Sequence, residues 1–516
     1  KKLVFLLFIC MISPLLAQTD LQTGTGEECT IGVAAGTATA DGRPLLWKTR
    51  DYISRPDNEV TYNSTMDYAF VAVVNARGTQ PWMGVNEQGF AILNSTSSDL
   101  PDGYGSISNG DLMKLALGNC ASVDEFEQLL LDTNDGERST QGNFGVIDAS
   151  GGAAIFETGG KVFWKFDAND STVAPDGFVL RTNFAFNGAA KNGLNNSIYS
   201  IERYRRQDIL INDYHDGDSL NYRSILRYQM RDFAYANGDP VPVPFPDQWQ
   251  LGRPYGYIFA YRCICRSTSI SAAVIQGVLP DESPLLSTLW AILGQPATSV
   301  AVPYWPVGKT PAEADGPSTA PLCNVANQFR ELLFDYAPNS NYIDSYKLRD
   351  GESGGLWSMT FPAEDSIFSV AERNLAQWRS DTLDIAEMLE TESLLAQFAL
   401  SEVTNAYQIV TAVVTENTPD VAAAGFSLSQ NYPNPFNPET SIRFSIPEPC
   451  DVTLDIYNLL GEKVTTVLAG HHEQGIHQVH WNAAGVASGI YVYQIHARSL
   501  TDQNEYIARK KLTVLK

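Results

Sequence analysis

A run of small and polar residues from Thr415 to Gly425 (TENTPDVAAAG) divides this chain into two stretches of different texture. Before it, short apolar strands alternate in blocks with amphipathic helices. After it, FSLSQNYPNPFNPETSIRFSIPEPCDVTLDIYNLLGEKV shows strand alternation and proline-rich turns with no helical period. A segment without bulky apolar side chains cannot carry a core across, so each side must bury its own. With 516 residues, 44% of them hydrophobic, there is material for two. The expected order is a signal peptide at 1–17, a propeptide at 18–28, a large domain at 29–413, a linker at 414–425 and a smaller all-β domain at 426–516.

Within the large domain, FVAVVNA, FAILNS and FGVIDASGGAAIFETGGKVFWKFD read as antiparallel strands, with turns at Ser150-Gly151-Gly152 and Gly159-Gly160. DLMKLALGNC and SVDEFEQLLLD read as helices, the second opening with Ser122 and Glu125 as a capping box. YIFAYRCICRSTSISAAVIQGV and TSVAVPYWP form a further strand group, and helices dominate from Asn324 to Ala412. This alternation predicts a layered α/β fold. Cys263 and Cys265, two apart in a predicted strand, are expected on one face as buried structural cysteines.

The formal net charge of −24 opposes phosphate backbones and anionic headgroups, which excludes nucleic acid as a partner class. The opening KKLVFLLFICMISPLLAQ has the basic start, apolar run and small residue of a signal peptide. Its apolar run is shorter than the ~20 residues that span a bilayer, so no membrane span is expected. Cys10 lies inside that run rather than at a lipidation site. The remaining six cysteines, Cys29, Cys120, Cys263, Cys265, Cys323 and Cys450, are too dispersed for a disulfide scaffold, and neither a metal nor a cofactor is expected.

Histidine narrows the chemistry. His471, His472, His477, His480 and His496 all lie in the C-terminal module, and His215, in the loop-like YHDGDS, is alone in the large domain. Hydrolases with a histidine base therefore have one candidate, expected to be solvated. Gly351-Glu352-Ser353-Gly354-Gly355 fits the nucleophile-elbow pattern, but no histidine follows it in the same domain, and it reads as a glycine-rich loop. A nucleophile whose own α-amine serves as base needs no histidine. Cys29, following the polar QTDLQTGTGEE, fits that arrangement: an α-amine titrates near 7.7–8.0 and a free thiol near ~8.5.

The stretch CTIGVAAGTATADGRPLLWKTRD resembles the start of the penicillin acyltransferase, carcinine hydrolase and choloylglycine (bile-salt) hydrolase group of N-terminal-nucleophile hydrolases. There a Cys-Thr strand leads through a D-G turn, here Asp41-Gly42, to a second strand ending in an aspartate, here Asp51. Gly84-Val85-Asn86-Glu87-Gln88-Gly89-Phe90 with Asn94, Asp148-Ala149-Ser150-Gly151 with Glu157, Thr182-Asn183, and Arg203 in SIERYRR follow in the order of that group. The resemblance covers residues 29 to 310 and implies a four-layer αββα fold. It also implies a site of Cys29, Asp51, Asn94, Asn183 and Arg203, with Asp51 holding the α-amine, Asn94 and Asn183 as oxyanion donors, and Arg203 orienting the polar cluster. Bile-salt hydrolases carry an arginine three residues before the aspartate; here Lys48 stands there and arginine is Arg50. These two are candidate site or substrate cations, or charges at a strand end.

The second module resembles type IX secretion sorting domains and related FlgD-like, immunoglobulin-like sandwiches through NYPNPFNPETSIRFSIPEPCDVTLDIYNLLGEKV, GIHQVHWNA, GIYVYQI and ARKKLTVLK. Its histidines fall in that strand pattern. The resulting expectation is a secreted enzyme at or beyond the outer surface of a Gram-negative-type bacterium, partnered by the type IX machinery. It would cleave a linear amide of a small molecule or peptide through a thioester. An acyltransferase using the same residues, and an inactive binding protein on the same scaffold, are the alternatives.

Overall fold

The computed structural model describes residues 27–237, 257–334, 341–348, 355–380, 383–417, 426–428, 431, 436, 438–458, 461–487, 489–501 and 504–514. The expected signal peptide with Cys10, residues 18–26 of the expected propeptide, 418–425 of the linker and 351–354 of the glycine-rich loop lie outside them.

Two antiparallel sheets stack face to face. A seven-stranded meander holds β3 (Asn58–Asn63), β4 (Phe70–Asn75), β5 (Pro81–Asn86), β6 (Ala91–Thr96), β7 (Gly142–Ile147), β8 (Ala153–Thr158) and β9 (Phe163–Asp167) in chain order. The second sheet runs β10-β1-β2-β12-β13-β14, with β1 (Glu27–Ala34), β2 (Leu45–Tyr52), β10 (Phe178–Arg181), β12 (Ser269–Gln276), β13 (Thr288–Leu293) and β14 (Val302–Tyr304). β11 (Tyr257–Phe259) pairs instead with β15 (Tyr342–Asp344). Ile31, Val33, Leu46, Val71, Val73, Leu93 and Ile155 form the layer between the sheets.

Helices cover both outer faces. α1 (Asn109–Asn119) and α2 (Val123–Asp132) bury Leu112, Met113, Phe126 and Leu130 against Phe70, Phe144 and Phe156 of the seven-stranded sheet. Their approach is close: a Cβ on Gly84 would stand 2.7 Å from the Ala72 Cβ and 3.0 Å from a Leu117 methyl. α3 (Ile201–Asp216) and the helices Pro321–Leu333, Gly355–Ser380 and Ile385–Asn417 cover the other sheet. The arrangement is the expected four-layer αββα fold. Among the described residues no helix is long and apolar enough to cross a membrane.

The C-terminal region is a separate all-β unit. β16 (Ser427–Leu428), β17 (Glu439–Ile446) and β20 (Gly475–Asn482) form one sheet; β19 (Lys463–His472), β18 (Cys450–Tyr457), β21 (Gly489–Ser499) and β22 (Glu505–Val514) form the other. Ile442, Phe444, Val452, Leu454, Trp481, Tyr493, Ile495 and Leu512 make a core from its own strands. Helix Ile385–Asn417 runs into the stretch read as linker.

Three local expectations are corrected. His215 lies in the last turn of α3, edge-on to Phe178, because the helix continues to Asp216. Cys263 and Cys265 sit in turns before β12 and point apart, one thiol to the Phe233 carbonyl (3.1 Å) and the other to Gln295 Oε1 (3.2 Å). At α2 the Ser122 hydroxyl caps the Glu125 amide, but the Glu125 carboxylate accepts from Ala121, so the box is not reciprocal; α1 has the reciprocal box, through Ser108 and Asp111.

Deleting residues 426–516 is expected to leave the thermal unfolding of the αββα part within a few degrees of its full-length value in calorimetry, because among the described residues none of 426–516 enters a core of that part. Glu392, buried on helix Ile385–Asn417, accepts from the Trp305 amide at 3.2 Å, and burial pushes its carboxyl up to about 8. Because its folded value lies above its unfolded one, its contribution is fully present below pH ~4.5 and is lost as pH rises through about 8. Glu392→Gln is therefore expected to raise Tm relative to the parent at pH 9 and to change it little at pH 4.5.

Candidate active site

The strand pair β1 and β2 builds the site. Its register sets Glu27 opposite Tyr52, Glu28 opposite Asp51, Cys29 opposite Arg50 and Ile31 opposite Lys48. Side chains alternate along a strand, so Glu27, Cys29, Lys48 and Arg50 share the face toward the seven-stranded sheet. Glu28, Thr30 and Asp51 share the face toward α3.

Cys29 is fully buried and its backbone is held at both ends. Its nitrogen donates to Asn183 Oδ1 at 2.8 Å, and its carbonyl accepts from Arg203 Nη1 at 2.7 Å. Arg203, on α3, also donates to Thr30 Oγ1 (3.0 Å) and to Asn183 Oδ1 (2.8 Å). Asn183 Nδ2 donates to the Thr96 carbonyl (2.9 Å) and to that of Glu27 (3.4 Å). The Asn183 amide donates to the hydroxyl of Ser200, which holds a left-handed backbone (φ 64°) at the head of α3. Burial pushes the Cys29 thiol up to about 11; Lys48 and Arg50 pull it down, whereas Glu27 and Asp51 add to the rise.

On the inter-sheet face, Lys48 Nζ donates to Asn94 Oδ1 (2.8 Å) and the Trp82 carbonyl (3.2 Å), just past the last β5–β6 pair, Met83 with Leu93. Arg50 Nε donates to Glu27 Oε1 at 3.1 Å, and Nη1 to Asn75 Oδ1 at 2.7 Å; its guanidinium lies 4.3 Å from the centre of the Trp82 ring. Thr96 Oγ1 donates to Glu27 Oε2 at 3.2 Å. Burial lowers the Lys48 ammonium below the usual lysine range. Asn94 Nδ2 and Arg50 Nη2 are buried donors without a partner among the described residues.

On the opposite face, Asp51 accepts from Arg266 Nε (3.0 Å) and from the Ser269 hydroxyl, while Arg266 Nη2 pairs with Glu28. Burial raises the Asp51 carboxyl and is opposed by Arg266, Arg203 and Ser269. Burial brings Arg203 down to about 10.

Cys29, Lys48, Arg50, Asp51, Asn94, Asn183 and Arg203 thus converge on one strand pair and its neighbours. Sequence reasoning missed Glu27, Trp82, Thr96, Arg266 and Ser269. Arg266 left a signal, since an arginine among apolar and cysteine residues needs a buried anion; that anion is Asp51, which binds Arg266 and Ser269, while the Cys29 nitrogen is held by Asn183. The motif residues Asn86, Asp148 and Glu157 have other work. Asn86 Oδ1 accepts from the amides of Gln88 and Phe90, Asp148 binds the amides of Val123, Ser150 and Gly152, and Glu157 pairs with Arg181.

Residues 430–509 match the family model of the secretion system C-terminal sorting domain. No curated protein sequence matches the chain. In structure it is similar to penicillin V acylase from Agrobacterium tumefaciens, at 14% identity and TM-score 0.32 over 54% of this chain and 85% of that one. It is similar also to a mutant of conjugated bile acid hydrolase from Clostridium perfringens, at 11% identity and TM-score 0.27 over 51% and 89%. A third is the Caenorhabditis elegans ortholog of N-acylethanolamine-hydrolyzing acid amidase, at 13% identity and TM-score 0.30 over 49% and 94%.

Removing one partner of a buried ion pair strands the other charge, so Arg266→Leu is expected to cost about 3–5 kcal/mol in urea unfolding. Adding Asp51→Asn to that variant is expected to recover part of the loss.

Proposed function

We propose that the chain is a secreted amide hydrolase whose nucleophile is Cys29 and whose base is the α-amine released when the chain is cut between Glu28 and Cys29. The carrying observation is the grip on the Cys29 nitrogen: Asn183 Oδ1, itself fixed by Arg203, accepts from it at 2.8 Å. The same acceptor would orient a free amine beside its own thiol.

While Glu28 is attached that nitrogen is an amide and cannot act as a base, and the buried thiol stays protonated near neutral pH. Cleavage changes both. The amine becomes a base titrating near 7.7–8.0. Loss of Glu27 removes one influence that raises the thiol, and the adjacent ammonium adds one that lowers it. The thiol proton passes to the amine as the sulfur attacks the substrate carbonyl, and the ammonium then protonates the departing amine, leaving a thioester that water resolves. Asn94 Nδ2, unpartnered and anchored by Lys48 at its oxygen, supports a role as donor to the oxyanion. Asn183 Nδ2, released from the Glu27 carbonyl, is the second donor. Asp51 holds the strand end through Arg266, beside Arg203. No histidine takes part. The match of residues 430–509 supports export by the type IX machinery to the outer surface.

The active species is expected to begin at Cys29 by N-terminal sequencing and intact mass; a fully active chain retaining Glu28 would overturn the reading. Cys29→Ala should abolish amide turnover with the fold intact, Cys29→Ser should impair it strongly, and Asn94→Ala should lower kcat about 10²–10³-fold.

A further inference from the structure

Glu27 does more than precede the nucleophile: it pairs with cations that have no other carboxylate in reach among the described residues. Lys48 and Arg50 are wholly buried, and among the described residues Glu27 is the one carboxylate within ion-pair distance of either, at 3.9 Å and 3.1 Å. Their remaining polar contacts, the Cys29 thiol, Asn94 Oδ1, the Trp82 carbonyl and Asn75 Oδ1, carry no formal charge in the uncut chain. Asp51 points to the other face of β2 and is bound there by Arg266 and Ser269. Cleavage before Cys29 would remove the Glu27 carboxylate and add the ammonium of Cys29, leaving positive charges in a buried space. Uncompensated charge is strongly unfavourable there. The cradle is also chemically specific. Arg50 Nε and Thr96 Oγ1 each donate to one oxygen of the Glu27 carboxylate, and Arg50 Nη2 remains as a further buried donor. The half-buried Trp82 ring closes one side of the guanidinium.

Resting on the cleavage proposed above, we infer that the cradle of Lys48, Arg50 and Thr96, occupied by Glu27 in the uncut chain, binds a carboxylate on the acyl part of the substrate. Glu27 and Cys29 are two residues apart on one face of β1, a spacing of about 7 Å along the strand. That is the reach of a dicarboxylic acyl chain of five or six carbons, so the substrate class is an amide of such an acid. The uncut chain would then carry an internal mimic of its substrate's anion.

The test compares glutaryl and adipoyl p-nitroanilides with their neutral pentanoyl and hexanoyl counterparts on protein beginning at Cys29. The acidic amides are expected to have kcat/KM higher by roughly tenfold or more, mainly through KM, as befits a charge-assisted contact. Arg50→Gln should collapse the acidic-to-neutral ratio toward one, and the milder Thr96→Val should reduce it. Equal rates, or preference for the neutral amides, overturn the inference while leaving the Cys29 mechanism standing. Turnover of neither pair would count against Cys29, and a binding measurement then decides this point separately. By calorimetry, glutarate should bind the protein beginning at Cys29 and not uncut Cys29→Ala protein, whose cradle Glu27 fills; no binding to the cut form overturns the inference.

Discussion

The Arg203 guanidinium ties together three parts of the chain that are far apart in sequence. It reaches from α3 to the Cys29 carbonyl and the Thr30 hydroxyl on β1, and to the Asn183 side chain beyond β10. Two acceptors lie on β1 and the third in the loop after β10, so the fork of donors sets helix, sheet and loop at once. With Asn183 held, its oxygen can meet the Cys29 nitrogen and its amide can meet the Thr96 carbonyl at the end of β6. The position of Cys29 therefore depends on contacts made through its backbone, with Lys48 the cation beside its thiol.

A strand pair buried on both faces presents two chemically distinct surfaces from one sequence. On β2, Lys48 and Arg50 face the other sheet while Asp51 faces α3, and β1 answers with Glu27 on the first face and Glu28 on the second. Each face has its own counter-charges, because charges separated by the strand cannot share hydrogen bonds. This explains why two consecutive glutamates are buried at the head of an apolar strand. Their burial is tolerable only through Arg50, Lys48, Thr96 and Arg266.

Several motif residues have a framework role. Asn86 uses both ends of its amide, closing its turn with the oxygen and binding the carbonyls of Leu117 and Cys120 with the nitrogen, which docks α1. Asp148 does the same between the β7–β8 turn and the start of α2. These side chains shape the sheet whose central strand carries Asn94 and Thr96. Motifs spread along the chain in a fixed order are therefore partly reagents and partly the fittings that place them.

The blocks of strand and helix and the separate all-β character of the C-terminal region were legible in the sequence, because periodicity and turn residues are local properties of the chain. Where locality fails, so did the reading. His215 lies in a helix because α3 extends past the turn-forming residues, and Cys263 and Cys265 point apart because the strand begins after them, at Ser269. The partnership of Arg266 with Asp51 and Glu28, the hold of Asn183 on the Cys29 nitrogen, and the cradle that Arg50 and Thr96 make around Glu27 were decided by the tertiary structure alone. Each joins elements distant in sequence. A buried charge selects its partner by strand register and sheet stacking, which no local pattern encodes.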